Sequence, residues 1–187
     1  VLVGEPFIEV VRHVLKHDND LLIVGGREVE KGTLPTFSSG VMHLLRKCPC
    51  PVWMIRPEVG ESYQRILAAV DVDDSYSKKE LETNHRLNVQ ILEMATSLAI
   101  SESAELHIVY AWESFNEMAS GLAFSSDISN ERRAENIEQE RRQHQWLLND
   151  FIRDLKIKNN AVRDAIEYLQ PRTHLTKGSA RREIPVL

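Results

Sequence analysis

Four short apolar runs constrain this chain more than any other feature. They are Leu21 to Val24, Val52 to Ile55, Ile66 to Val70 and Leu106 to Ala111, the first three bounded on both sides by polar, Gly or Pro residues. Runs this short suit strands buried on both faces of a parallel sheet. Between them the apolar period changes. Phe7, Val10, Val11 and Val14 recur at helical spacing, as do Val41, Leu44 and Leu45, and then Leu87, Ile91, Ala95, Leu98 and Ala99. Strands alternating with helices predict an α/β fold, a parallel sheet with helices on both faces.

Punctuation residues agree with this order. Glu5-Pro6 opens a helix, since Pro is tolerated in a first turn. Arg27 to Phe37 is a polar loop containing Gly32 and Pro35. Ser38 or Ser39 caps the next helix, Arg46 and Lys47 suit its last turn, and Pro49 and Pro51 end it. Pro57 to Gln64 reads as a linker between domains. Glu131 to Leu155 is a long charged helix with Trp146, Leu147 and Phe151 as its expected inner contacts. Asn159-Asn160 breaks it, Ala161 to Leu169 forms a shorter helix, and a last strand near His174–Thr176 leads through Gly178 into a new helix start. Trp112 to Asn130 has no clear period. A strand, a Gly and a helical apolar residue six positions on occur at both Gly4–Val10 and Gly178–Ile184, an offset of 174 residues (178 − 4). That echo hints at an internal repeat. The chain opens on strand-like Val1–Val3 without Met and closes inside apolar Ile184–Leu187, so a piece of a longer protein is expected.

Bulk chemistry narrows the function. A net charge of −5 gives no global attraction to nucleic acid or to an anionic membrane, and neither is expected as a partner. No apolar run reaches the roughly 18 residues of a spanning helix. Cys48 and Cys50 flank Pro49, the wrong spacing for a redox pair or a zinc site, so reduced, partly buried thiols are expected. His43 and His107 read as lone structural histidines, with no metal site expected. Arg132, Arg133, Arg141 and Arg142 interleave with Glu131, Glu135, Glu138 and Glu140, which reads as a solvated, salt-bridged helix face.

Two segments carry a family resemblance. Asp20-Leu21-Leu22-Ile23-Val24-Gly25, and the run from Leu44 through Cys48-Pro49-Cys50-Pro51-Val52 to Pro57, are similar to the later strands of the universal stress protein family. Ile66 to Asp71 resembles that family's opening strand and Leu106 to Tyr110 its second. The resemblance is to the tandem-domain subgroup. It implies a Rossmann-like (adenine nucleotide alpha hydrolase-like) fold in two incomplete domains. Residues 1–57 are the end of a first domain, 58–64 a linker, and 65–187 the start of a second. It also implies a cytoplasmic, non-enzymatic stress-response role, including tolerance of DNA damage, and self-association or an intramolecular pseudo-dimer of the tandem domains.

Family members that bind ATP carry Gly-x2-Gly-x9-Gly followed by Ser or Thr, where bare backbone approaches phosphate at a helix N-terminus. Aligned here, those positions are Gly25, Glu28, Ser38 and Ser39, a degenerate loop. Ser38 adds a Cβ, and Glu28 adds a negative charge worth a few kcal/mol of repulsion at roughly 4–6 Å and an effective dielectric of about 20. No cofactor is therefore expected from the first domain. ATP enters the reading only through the second domain, whose glycine loop is not in this sequence, with Asp71 as the expected ligand contact. A rival reading takes Asp71-Val72-Asp73-Asp74-Ser75 as the Asp-x-Asp start of a haloacid dehalogenase-type phosphatase, which also needs a Lys and further carboxylates beside Mg²⁺. Trp112, Phe115, Met118, Leu122 and Phe124 are candidates to line a pocket for an apolar small ligand, with core packing as the alternative.

Overall fold

A computed structural model of the chain describes residues 3–25, 39–55, 62–115, 117 and 129–187. The chain forms two compact units, Val1–Ser62 and Tyr63–Leu187. Among the described residues no helix is long and apolar enough to cross a membrane.

The first unit contains α1 (Pro6–His17), β1 (Leu22–Gly25), α2 (Ser39–Lys47) and β2 (Val52–Ile55). β1 and β2 pair in parallel, Leu22 opposite Val52 and Gly25 opposite Ile55. Helix α1 buries Val14 and α2 buries Leu44, and Phe7 stacks on His43 at 4.6 Å. Cys48 and Cys50 are free thiols with their sulfurs 3.6 Å apart. Burial on both faces does not hold for β1. Its residues alternate, and Ile23 is 57 % exposed. Leu45, expected on the inner face of α2, is exposed as well.

The second unit has the order β3 (Arg65–Ala69), α3 (Lys78–Glu102), β4 (Glu105–Trp112), α4 (Asn130–Lys158), α5 (Asn160–Leu169), β5 (Arg172–Lys177) and the short α6 (Ala180–Glu183). The sheet is parallel with order β3-β4-β5, so each crossover steps the same way. Right-handed crossovers in one direction place their helices on one face. The core agrees: Ala68, Leu106, Ile108 and Tyr110 from the sheet meet Leu92 and Ala99 of α3, Leu148 and Leu155 of α4, and Ile166 of α5. Asn159 joins three helices. Its N–H closes α4 on Leu155 O (2.9 Å), its Oδ1 accepts from Val162 N–H to cap α5 (3.1 Å), and its Nδ2 donates to Glu93 of α3 (2.8 Å).

Two inner faces hold only part of what periodicity marks: Ala95 and Ala99 of α3 and Phe151 of α4 are buried as expected, while other marked positions are not. On α3 the buried residues are Asn88, Leu92, Ala95, Thr96 and Ala99, while Leu87 is exposed. A polar residue at the start of the true stripe disguises it. On α4 the buried residues are Leu148, Phe151 and Leu155, and Trp146 is 59 % exposed. Of the three expected inner contacts Phe151 is buried, and Leu148 takes the place expected of Trp146.

The echo between the two ends is structural. Gly4 has φ 144° and Gly178 has φ 132°, a region that side chains rarely adopt. In each, a built Cβ would meet the carboxylate arm five residues on, Glu9 at 3.0 Å and Glu183 at 2.8 Å. The helix starts match too. Ile8 and Glu9 N–H both donate to Glu5 O (3.0 and 3.1 Å), as Arg182 and Glu183 do to Ser179 O (2.8 and 3.0 Å).

Candidate functional site

The carboxyl ends of β3, β4 and β5 form one edge of the second sheet, the edge where open α/β sheets hold ligands. Asp71 lies just past β3 and is fixed through its backbone. Its N–H donates to Asn88 Oδ1 (3.1 Å), and Asn88 Nδ2 donates to Asp71 O (2.6 Å). Asn88 is 3 % exposed, so this pairing explains a polar residue on the core face of α3. The Asp71 carboxylate is engaged at both oxygens. Oδ1 accepts from Asp73 N–H (3.3 Å) and Oδ2 accepts from the Tyr76 hydroxyl (3.0 Å). Asp73 repeats the pattern one step on, accepting from Ser75 N–H (2.8 Å). These are Asx-type turns, which shape the loop by competing for its backbone donors. Glu80 then accepts from Ser77 N–H (3.1 Å) and Oγ–H (2.6 Å), which starts α3 and holds its carboxyl below the usual range.

This cluster changes its neighbours. The hydrogen bond to Asp71 pushes the Tyr76 hydroxyl up to about 12, with burial and nearby carboxylates adding to it. Burial, then the charges of Asp73 and Asp71, push Tyr110 up as well. The raised Tyr76 value means the neutral phenol is favoured in the folded chain. Its contribution to stability is complete below pH 10 and is lost as pH rises through about 12. Ultraviolet titration should show a tyrosine ionising near pH 12, and Asp71→Asn should return it toward 10.

The ends of β4 and β5 are polar in a different way. Tyr110 and Trp112 are buried, and His144 of α4 lies between them, 2.9 Å from the Tyr110 hydroxyl and stacked on Trp112 at 4.9 Å. Ser114 donates to Glu140 of α4 and accepts from Glu117 N–H (3.2 Å), and Lys177 pairs with Glu117 at 2.5 Å. His144 escaped sequence reasoning, and Glu140, expected on a solvated, salt-bridged face, accepts instead from Ser114. They lie four residues apart on one helix, but their partners come from β4 and the residues just after it, and no local pattern marks that contact.

The other sequence candidates disperse. Gly25 ends β1, and a Cβ built there meets nothing within 4 Å. Ser39 opens α2, while Glu28 and Ser38 lie outside the described residues. Trp112 belongs to the core and Phe115 is 69 % exposed, and Met118, Leu122 and Phe124 lie outside the described residues. His107 is not lone. It lies 2.8 Å from His174 across β4 and β5, with Glu105 at 3.4 Å on its other ring nitrogen. Cross-strand register, invisible along the chain, makes that pair. Arg141 and Arg142 both pair with Glu138, whose carboxyl falls to about 2. Asp71 and Asp73 keep their carboxylates inside the loop's own hydrogen bonds. Among the described residues no group of three or more His, Cys, Asp or Glu is arranged to hold a metal ion.

Comparison with known proteins gives one direction. No family model matches the chain. It is 28 % identical over 111 residues to universal stress protein E of Photorhabdus laumondii, covering 58 % of this chain and 34 % of that protein. It is 27 % identical over 111 residues to universal stress protein E of Escherichia coli K12, covering 58 % and 33 %. With the universal stress protein E homolog of Haemophilus influenzae it shares 31 % over 126 residues, covering 59 % and 39 %. The match thus spans about a third of these relatives' length. Among solved structures, a candidate universal stress protein from Pseudomonas aeruginosa UCBPP-PA14 superposes with a TM-score of 0.59 at 18 % identity, covering 98 % of this chain and 53 % of that one. A functionally unknown protein from Pseudomonas aeruginosa PAO1 gives 0.58 at 18 %, covering 99 % and 53 %. At that identity the likeness speaks for the fold alone.

Proposed function

We propose that this chain, a member of the universal stress protein family resembling its tandem-domain E type, acts in the cytoplasmic stress response as a non-catalytic scaffold or sensor. Tolerance of DNA-damaging conditions belongs to this reading through the resemblance. The observation that carries it is the state of Asp71. Both carboxylate oxygens accept hydrogen bonds from the chain itself, and Asn88 holds its backbone. Each oxygen takes one of the two bonds it can accept, and both of those bonds run to the loop itself. Here the acidic loop stabilises its own shape. Self-association, or pairing of tandem domains within one chain, goes with this role, since edge strands that are unpaired among the described residues can take partners.

One observation favours a second reading, an ATP-responsive switch. Asp71 lies at the carboxyl end of a parallel strand, on the edge where nucleotides bind in doubly wound sheets. A thermal-shift titration separates the two. A true site with free ATP at a hundred times its Kd should add about 2.7 kcal/mol, a rise on the order of 5–10 °C. A scaffold should keep its melting temperature. A rise that Asp71→Asn abolishes would replace the scaffold reading with the switch.

A further inference from the structure

Cys48 and Cys50 are free, half-buried thiols where α2 leads into β2. The fold fixes each from a different side. Cys48 N–H donates to Leu44 O (2.9 Å), which ties it to the last turn of α2. Beside Cys50, Pro51 O accepts from Leu22 N–H (3.0 Å), where β2 joins β1. Pro49 and Pro51 restrict the backbone between the two cysteines and just after them. The sulfurs stand 3.6 Å apart.

That gap selects what can bridge it. A centre bonded to both sulfurs at about 2.3 Å, the zinc–thiolate length, subtends about 103° across 3.6 Å. This is the angle of a pyramidal or tetrahedral centre. A linear two-coordinate ion needs its sulfurs about 4.6 Å apart on the same bond length. A tetrahedral ion asks for further ligands, and among the described residues no group of three or more His, Cys, Asp or Glu is arranged to hold one. A divalent ion also needs both sulfurs as thiolates. Burial and the neighbouring Cys48 favour the protonated form of Cys50 instead. Trivalent arsenic asks for less. It is pyramidal, bonds sulfur at nearly the zinc distance, keeps one substituent of its own and leaves both sulfurs neutral.

We infer that Cys48 and Cys50 together chelate trivalent arsenic, as arsenite or a monosubstituted arsenical. With As(OH)3, two As–O bonds break and two As–S bonds form. Each thiol proton leaves with a hydroxide as water, giving (RS)2As–OH and two waters. Arsenic stays trivalent, so no oxidant or reductant takes part. Holding both thiols in one turn lowers the ordering cost of closing the ring. The site uses the first unit alone and is independent of Asp71 and of the scaffold reading.

Intact-mass spectrometry and thermal denaturation of the full chain test it, with phenylarsine oxide as the probe and arsenite as competitor. One phenylarsenic group per chain should replace two thiol hydrogens, and arsenite should displace it. Cys48→Ser and Cys50→Ser should each abolish the adduct, since a single sulfur leaves the second bond unmade. The folded chain should bind at least about tenfold more tightly than the urea-unfolded chain, so the probe should raise the melting temperature. A fall in melting temperature, or equal affinity in urea, overturns the site, because any flexible Cys-x-Cys segment then does as well. So does an adduct that survives in either single variant.

Discussion

Leu148→Ala should lower the unfolding free energy by about 2–5 kcal/mol, among the larger losses available to one substitution in this chain. Leu148 is 0 % exposed and lies in the cluster where α4 meets β4 and α3. Truncation removes its transfer energy and leaves a cavity that close-packed neighbours fill only in part. Urea titration should show a lower midpoint with an unchanged slope, the mark of lost stability rather than a changed unfolded state. Trp146 supplies the control. It carries a larger apolar side chain but is 59 % exposed, so Trp146→Ala should cost less than about 1 kcal/mol. If the two costs were reversed, the inner face of α4 would have been placed wrongly.

Asn88→Ala should cost about 2–4 kcal/mol, because it strands two backbone groups at once. The lost amide leaves Asp71 N–H and Asp71 C=O without the partners they hold at 3.1 and 2.6 Å. The stability loss should appear together with a spectroscopic change. Tyr76 is held near 12 by Asp71, so a loop released from α3 should let the phenol ionise closer to 10. Asn88→Asp keeps an acceptor for Asp71 N–H, loses the donor to its carbonyl, and adds a carboxylate beside Asp71. It should be no milder than Ala. A Tyr76→Phe and Asn88→Ala double-mutant cycle should show coupling, since both residues act on one turn.

Four of the strands were legible because each follows a short apolar run, and β2 falls where the residues mark it, while β5, Arg172–Lys177, is mostly polar. Helix existence was equally legible, down to Pro6 at the start of α1 and Asn159 between α4 and α5. Helix rotation was legible in part. Ala95 and Ala99 face the core as expected, but at the start of the stripe Asn88 faces inward for the sake of a loop seventeen residues earlier, and Leu87 is left exposed. The site was half legible. Asp71 stands out as an acid after an apolar strand, but whether it offers or absorbs hydrogen bonds depends on Tyr76 and Asn88, whose approach only the fold supplies. His107 with His174, and Tyr110 with His144, are joined across 67 and 34 residues, distances at which one-dimensional patterns carry no signal.

Two sulfurs 3.6 Å apart invite the idea that such a chain senses oxidants. Their chemistry runs the other way. Burial and the neighbouring Cys48 push the Cys50 thiol upward, and only the thiolate attacks peroxides or disulfides with any speed. At neutral pH Cys50 is therefore a sluggish nucleophile beside a proline-stiffened turn, and peroxide should find it a slow target. Redox poise at Cys50 is a poor carrier for any signal.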